Sequence, residues 1–347
     1  MKTTILSMDD ICTIVSSVGL DSLMDETINV LHAACLTYHS DKFTIPVRQG
    51  FDYDKPHTGL LEWMPSMKNE HDVCVKMVGY HPNNPSQYKL PTVLSVGLNF
   101  DTNTGHLLGL LDATFLTAIR TGAASAVASR ILARSDSRTL GLVGAGAQAI
   151  SQLHGLSRLF KLQRILVYDT DPSATESFQQ RTHILRLKNI DIHSASLEDI
   201  CSCSDIICTS TSVAVGDGPV LPEIETQPWL HINAVGSDFP GKVEIPHCLL
   251  KSSIVCPDFT EQAIREGECQ QLDHSEIGPD LSQLVQSEGR YQEYQNQPSV
   301  FDSTGWALED YLLVEILMKH ASDLGLGTAI EVESIANDPR NPYEFLN

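Results

Sequence analysis

Positive charge is scarce in this sequence: 23 Lys and Arg stand against 44 Asp and Glu, for a net charge of −21. Nucleic-acid binding needs a basic footprint, and an anionic membrane surface repels such a chain, so both partners are excluded. Long apolar runs are missing as well. No stretch of about 18 apolar residues occurs, and residues 1–10 show neither the apolar core nor the small-residue cleavage site of a secretory leader. A cytoplasmic location is expected. The nine cysteines include no CxxC pair. Cys201, Cys203 and Cys208 do cluster, but a structural zinc site wants four ligands at recurrent spacings and Cys208 lies in an apolar run, so reduced thiols and no metal are expected. Internal repeats and long low-complexity tracts are absent. What remains is a chain of 347 residues, 42% hydrophobic, long enough for two domains with their own cores.

The most informative stretch is a short apolar run, residues 139–143, followed by Gly144-Ala-Gly-Ala-Gln-Ala149. Gly144 permits a tight turn, Gly146 lets the backbone approach a pyrophosphate, and small Ala149 lets the new helix pack on the strand. The first free N–H groups of that helix, at Ala147 and Gln148, would face the phosphates. A glycine turn alone is equally an ordinary loop, but a second apolar run, residues 164–168, ends in Asp169 about 20 residues beyond Ala149, where an acid accepts hydrogen bonds from the adenosine ribose. Asp171 adds negative charge, and no Arg or Lys lies between Tyr168 and Phe178 to hold a 2′-phosphate. The cofactor read from this pattern is NAD.

Along the chain, apolar spacing predicts one helix over residues 10–38 and short β-like runs over 43–47, 59–63, 73–80, 92–100 and 106–112. A long alanine-rich helix over 114–134 leads into alternating strands and helices, with further strands at 190–194, 205–210, 230–235 and 253–256. The expected fold class is α/β: a Rossmann-type doubly wound parallel sheet domain plus an α+β substrate domain. The segmentation expected is 1–120 for the substrate domain, 121–304 for the nucleotide domain, and 305–347 for a C-terminal helix returning to the first domain. Residues 284–298 are polar and read as a surface excursion.

Three basic residues stand out against the acidic background: Arg48, Lys76 inside an apolar run, and Arg120 on the alanine-rich helix. An interior lysine is costly unless paired, so Lys76 needs an anion, either a structural carboxylate or a substrate's. Asp238 follows a parallel strand, where ligands bind in this architecture, and sits among turn formers, so it is either a site acid or an ordinary turn residue. Glu62 is either a ligand or a solvent-exposed strand end.

These residues and their surroundings resemble the ornithine cyclodeaminase and mu-crystallin family. Carrying the resemblance are Glu62-Trp-Met-Pro65, the run from Lys76 to Pro85, Leu90-Pro-Thr92, Arg120-Thr-Gly-Ala-Ala124 and the glycine turn. They continue with residues 167–172, the run from His231 to Asp238 with Gly241-Lys242, residues 266–272 and Val300-Phe-Asp-Ser-Thr-Gly305, in family order over nearly the whole chain. The resemblance implies a homodimer whose first segment also serves dimerisation. It implies that Arg48, Lys76 and Arg120 hold a substrate α-carboxylate, that Asp238 is the acid–base residue with Glu62 beside it, and that Lys76 belongs to the catalytic set. Thr121, Thr209, Val235 and Ser303 would join the cofactor site. Residues 209–222 and 265–271 are most similar to the branch that cyclises L-lysine to L-pipecolate with loss of ammonia and recycling of NAD. L-ornithine to L-proline is the next reading, and an NAD-dependent amino or imino acid dehydrogenase is the third.

Overall fold

The computed structural model describes residues 1–39 and 41–346. Its strands in chain order are β1 (Thr3–Leu6), β2 (Phe43–Thr44), β3 (Gln49–Tyr53), β4 (Gly59–Lys68), β5 (Asp72–Tyr80), β6 (Val93–Asp101) and β7 (Leu107–Asp112). Then follow β8 (Thr139–Val143), β9 (Arg164–Tyr168), β10 (Asp191–Ser194), β11 (Ile206–Thr209), β12 (His231–Ala234), β13 (Ile254–Pro257), β14 (Ser299–Asp302) and β15 (Thr328–Ile330). Two compact units result: Met1–Gly19 with His39–Leu116 and Asp310–Asn347, and Leu20–Tyr38 with Thr117–Glu309. The division falls inside two helices, Thr114–Leu132 and Ala307–Leu324. Residues 310–324 group with the first unit. Residues 20–38, expected with the first domain, belong instead to the second.

A local break explains that difference. The single helix expected over 10–38 is two, Met8–Val18 and Leu20–Leu36, because Gly19 takes φ 90 and ends the first. The second then packs in the second unit, where Arg158 Nη2 and Nη1 reach Asp25 and Asp21 at 2.8 and 2.9 Å, and Gln286 donates to the Cys35 carbonyl.

In the first unit an eight-stranded sheet runs β15-β1-β7-β6-β5-β4-β2, with β3 on β4. Strict alternation splits its residues between two faces. One carries Leu60, Met64, Cys74, Lys76, Val78 and Leu111, all buried. Register aligns the other in rows: Phe51, Leu61 and Leu94; Trp63, Met77 and Val96; Pro65, Val75, Leu98 and Leu110. That second face is apolar yet open, with Phe51 66%, Leu94 41% and Val96 43% exposed.

The second unit holds a seven-stranded, all-parallel sheet, β10-β9-β8-β11-β12-β14-β13. Strands β8, β11, β12 and β14 are buried along their whole length, as a parallel sheet covered on both faces requires. Leu140, Leu142, Ile165, Val167 and Ile206 pack with the helix Ala147–Leu159 on one side, and Val143, Ile207, Ile232, Val255 and Val300 form the core on the other. β14 is inserted between β12 and β13, so chain order and spatial order part company at this edge. No helix among the described residues is long and apolar enough to cross a membrane.

A polar knot sits inside this apolar core. His231 on β12 lies 2.9 Å from Ser299 Oγ and 3.0 Å from Ser129 Oγ, and Asn233 donates to the same Ser129 oxygen. Burial pushes the His231 imidazole down to about 3, below its ordinary 6.5. A group depressed in the folded state stabilises the fold above its unfolded value, and that contribution is lost as pH falls from 6.5 towards 3. His231→Gln cannot take up that proton. The thermal-stability advantage of the parent protein over His231→Gln should therefore shrink as the pH is lowered from 7 to 4; a constant gap in melting temperature would show that the imidazole plays no part in acid lability.

Candidate active site

The glycine turn leads from β8 into the helix Ala147–Leu159, as expected. Gly144 has φ +91, and a Cβ there would lie 2.6 Å from the Ser210 carbonyl oxygen, so only glycine lets the turn rest on the segment after β11. At Gly146 a Cβ would meet nothing within 4 Å. The helix begins there with no side-chain cap, and Gly146 and Ala147 are exposed, with Gln148 half-buried. Uncapped amide donors at the positive end of a helix dipole, under open space, suit a diphosphate. Asp169 directly follows β9 and is half-buried, its Oδ2 accepting from Ala145 N at 2.7 Å and its Oδ1 from Asp171 N at 2.9 Å. It thus braces the turn while sitting where a ribose is expected. A cation does come near this turn, from further along the chain: Arg181 donates to the carbonyls of Ala145 and Ala174 at 2.7 and 2.6 Å.

Around the ends of the neighbouring strands, Val235 and Ser303 are buried, and Ser303 Oγ has no hydrogen-bond partner among the described residues. An orphaned hydroxyl at the end of β14 fits a site that awaits a polar ligand. Thr121 and Thr209 are placed differently, each donating its hydroxyl inside the protein, to the Thr117 carbonyl at 2.7 Å and to Glu244 at 2.6 Å. The loop 303–305 is held by buried Asp258, which accepts from Gly305 N at 2.6 Å and Thr304 Oγ1 at 3.0 Å. Burial pushes the Asp258 carboxyl up. Deep in the same unit, burial pushes Asp302 up to about 7.

Arg120 is buried and pairs with Glu309 at 2.8 Å, with Gly305 closed over its guanidinium. Asp238 lies in the loop after β12, 38% exposed, and bonds Lys242 Nζ at 3.0 Å. In the first unit, Lys76 meets the anion its burial demands: Asp310 Oδ1 at 2.9 Å, both side chains 1% exposed. Glu62 on β4 faces the same side as Lys76, since Glu62 pairs with Val78 and Lys76 with Met64. Arg48, just before β3, sits with its Nε 3.4 Å from Glu62 Oε1. The first unit therefore gathers Arg48, Glu62 and Lys76 on one sheet face, and the second gathers the glycine turn, Asp169, Arg120, Asp238 and Ser303 around the strand ends. Glu309, Asp310 and Lys242 were not anticipated as partners. The signal was present: two adjacent acids interrupt the apolar run Ala307-Leu-Glu-Asp-Tyr-Leu-Leu. Among the described residues no group of three or more His, Cys, Asp or Glu side chains could hold a metal ion.

Residues 8–324 match the sequence profile of the ornithine cyclodeaminase/mu-crystallin family. L-lysine cyclodeaminase of Streptomyces rapamycinicus is 40% identical over 346 residues, 99% of this chain and 100% of that protein. A solved structure described as the basis for recognition of L-lysine, L-ornithine and L-2,4-diaminobutyric acid by lysine cyclodeaminase aligns with TM-score 0.95 and 43% identity, covering 99% of this chain and 100% of that one. An archaeal alanine dehydrogenase dimer with bound NAD aligns with TM-score 0.84 and 28% identity, covering 96% of this chain and 100% of its own.

Proposed function

The chain belongs to the ornithine cyclodeaminase/mu-crystallin family, and from that premise we propose that it is an NAD-dependent ammonia-lyase converting L-lysine to L-pipecolate and ammonia. The observation that carries this reading is the full-length likeness to lysine cyclodeaminase in both sequence and fold. Held at Gly146, Ala147, Gln148 and Asp169, NAD would supply a hydride acceptor and donor for the amino-acid Cα.

The residues of this chain do the rest. The N–H groups around Gly146, Ala147 and Gln148 hold the diphosphate, and Asp169 the adenosine ribose. Arg48, Lys76 and Arg120 hold the substrate α-carboxylate, an orientation effect that supplies several kcal/mol. Asp238 moves the proton. Ring closure needs a neutral distal amine, and with an ordinary lysine value of about 10.4 its deprotonation at pH 7 costs about 4.6 kcal/mol, so a base must stand by. Glu62 stabilises the distal end of the substrate.

Pure protein incubated with equal L-lysine and L-ornithine and substoichiometric NAD tests the reading, with mass spectrometry for pipecolate and proline. Many turnovers per NAD with pipecolate in excess are expected. Excess proline would make it an ornithine cyclodeaminase. A second reading, an NAD-dependent amino or imino acid dehydrogenase, is favoured by the alanine dehydrogenase likeness; it would consume NAD one for one and yield no ring.

The working form is a homodimer built on the open sheet face of the first unit. Rows of exposed apolar side chains on one sheet face suit an interface between two copies, and the archaeal relative is a dimer. Leu94→Lys with Val96→Lys places two ammonium groups in adjacent rows of that face. Light scattering after gel filtration should then read monomer mass; an unchanged dimer would move the interface elsewhere. The cytoplasm belongs to the same reading, supported by nine free cysteines of which six are buried.

A further inference from the structure

The loops after β11 and β12 converge on one side chain that the reaction does not obviously need. Glu244 is fully buried. Its Oε1 accepts from Thr211 N at 2.7 Å and Thr211 Oγ1 at 2.6 Å, and its Oε2 from Thr209 Oγ1 at 2.6 Å and Gly236 N at 2.8 Å. Four donors, two on each oxygen, three from the segment 209–211 and one from Gly236, use the full hydrogen-bonding capacity of a carboxylate. Among the described residues no cation pairs with it. A buried carboxylate held by dipoles alone is expensive, and each of these charge-assisted bonds is correspondingly strong.

Its placement joins two parts of the site. The segment 209–211 is what the glycine turn rests on, since a Cβ at Gly144 would collide with the Ser210 carbonyl. Gly236 opens the loop that carries Asp238, and Glu244 closes it. A Cβ at Gly236 would lie 2.3 Å from Glu244 Oε1 and 2.7 Å from Thr211 N, so the two loops touch with no room for a side chain. Inside the loop, Ser237 Oγ donates to the Lys242 carbonyl at 2.5 Å and Gly241 N to Gln270 Oε1 at 2.6 Å. Glu244 is itself fixed, its N–H donating to Glu268 Oε1 at 2.7 Å. Burial drives the Glu268 carboxyl well up.

We propose that Glu244 is a positioning residue: its carboxylate locks the segment under the dinucleotide turn to the loop bearing Asp238, so that acid and cofactor keep one spacing. The proposal rests on the assignment of Asp238 as the acid–base group. A displacement of about 1 Å at a reacting group can cost a hundredfold in rate, and Glu244 ties the loop to the β11 side through side-chain and backbone donors at once.

Glu244→Gln keeps the shape but turns an amide towards two of the four donors. With full-length protein and NAD, kcat for L-lysine per NAD-binding site should fall at least tenfold, with KM and the NAD dissociation constant within about threefold of the parent. The isotope effect with 2-deuterated L-lysine should rise, and hydrogen exchange in residues 235–244 should speed up. An unchanged kcat per NAD-binding site, even with a lowered melting temperature, overturns the proposal and leaves a purely structural carboxylate. Loss of NAD binding in step with kcat overturns it as well, assigning the clamp to the turn alone. If Glu244→Gln does not fold, Thr211→Val removes one hydroxyl donor and carries the same test, with at least a threefold loss of kcat expected and no loss overturning the proposal. Asp238→Asn assayed in parallel separates the two ideas: an active Asp238→Asn sinks the acid assignment, whereas an inactive Asp238→Asn beside a fully active Glu244→Gln sinks the clamp alone.

Discussion

Asp238→Asn should lose at least about a thousandfold in kcat with L-lysine while binding NAD as the parent does. The substitution is close to isosteric. An asparagine oxygen can still accept from Lys242, which bonds Asp238 at 3.0 Å, so the loop from Gly236 to Glu244 keeps its anchors. Only the capacity to take up and release a proton is removed. Acid–base catalysis contributes about 10² to 10⁴ in rate, and the cradle of Gly146, Ala147, Gln148 and Asp169 is untouched. Steady-state kinetics and a fluorescence titration with NAD check both halves. Parent-like turnover would take Asp238 out of the mechanism and leave Glu62 as the remaining candidate base.

The second large effect is expected at Lys76. Removing the ammonium by Lys76→Met leaves the Asp310 carboxylate, 1% exposed, buried without it. Breaking a buried pair from one side costs about 3–5 kcal/mol, which thermal denaturation should register as a large drop. Adding Asp310→Asn removes the stranded charge, and stability should recover in part. Activity separates the two roles open to Lys76. If the lysine also holds the substrate carboxylate, KM for L-lysine should rise at least about a hundredfold in both the single and the double variant. Recovery of activity along with stability would reduce Lys76 to a structural ion pair.

That ambiguity marks the boundary of what local pattern can reveal. The burial of Lys76 is legible because an apolar run surrounds it, but its partner lies 234 positions away, and that of Arg120 lies 189 away. No spacing rule reaches so far. The glycine turn and Asp169 are legible for the opposite reason: strand, turn and helix follow one another, and Gly144 answers a steric demand close by. Strand order is intermediate. Alternating strands and helices imply a parallel sheet, yet the insertion of β14 between β12 and β13 depends on where the chain returns after residue 298. The open apolar face was written in the alternation of β4, β5 and β6, but it becomes a face only once register aligns its rows. Glu244 shows the same limit. A lone acid between Val243 and Ile245 hints at burial, and only the converging loops say what it holds.

The interleaving of segments bears on how the chain is made. By residue 309 the ribosome has produced every segment of the second unit, whereas the first still lacks residues from Asp310 onward, including its edge strand β15. β15 pairs with β1, from the opposite end of the sequence. Domains fold as units once their chain is available, so during synthesis the second unit can close while the broad apolar face of the other waits unfinished. The interval in which that face is exposed without its complete sheet is set by the order of translation, and it is the interval in which a nascent chain of this kind most needs protection from its neighbours.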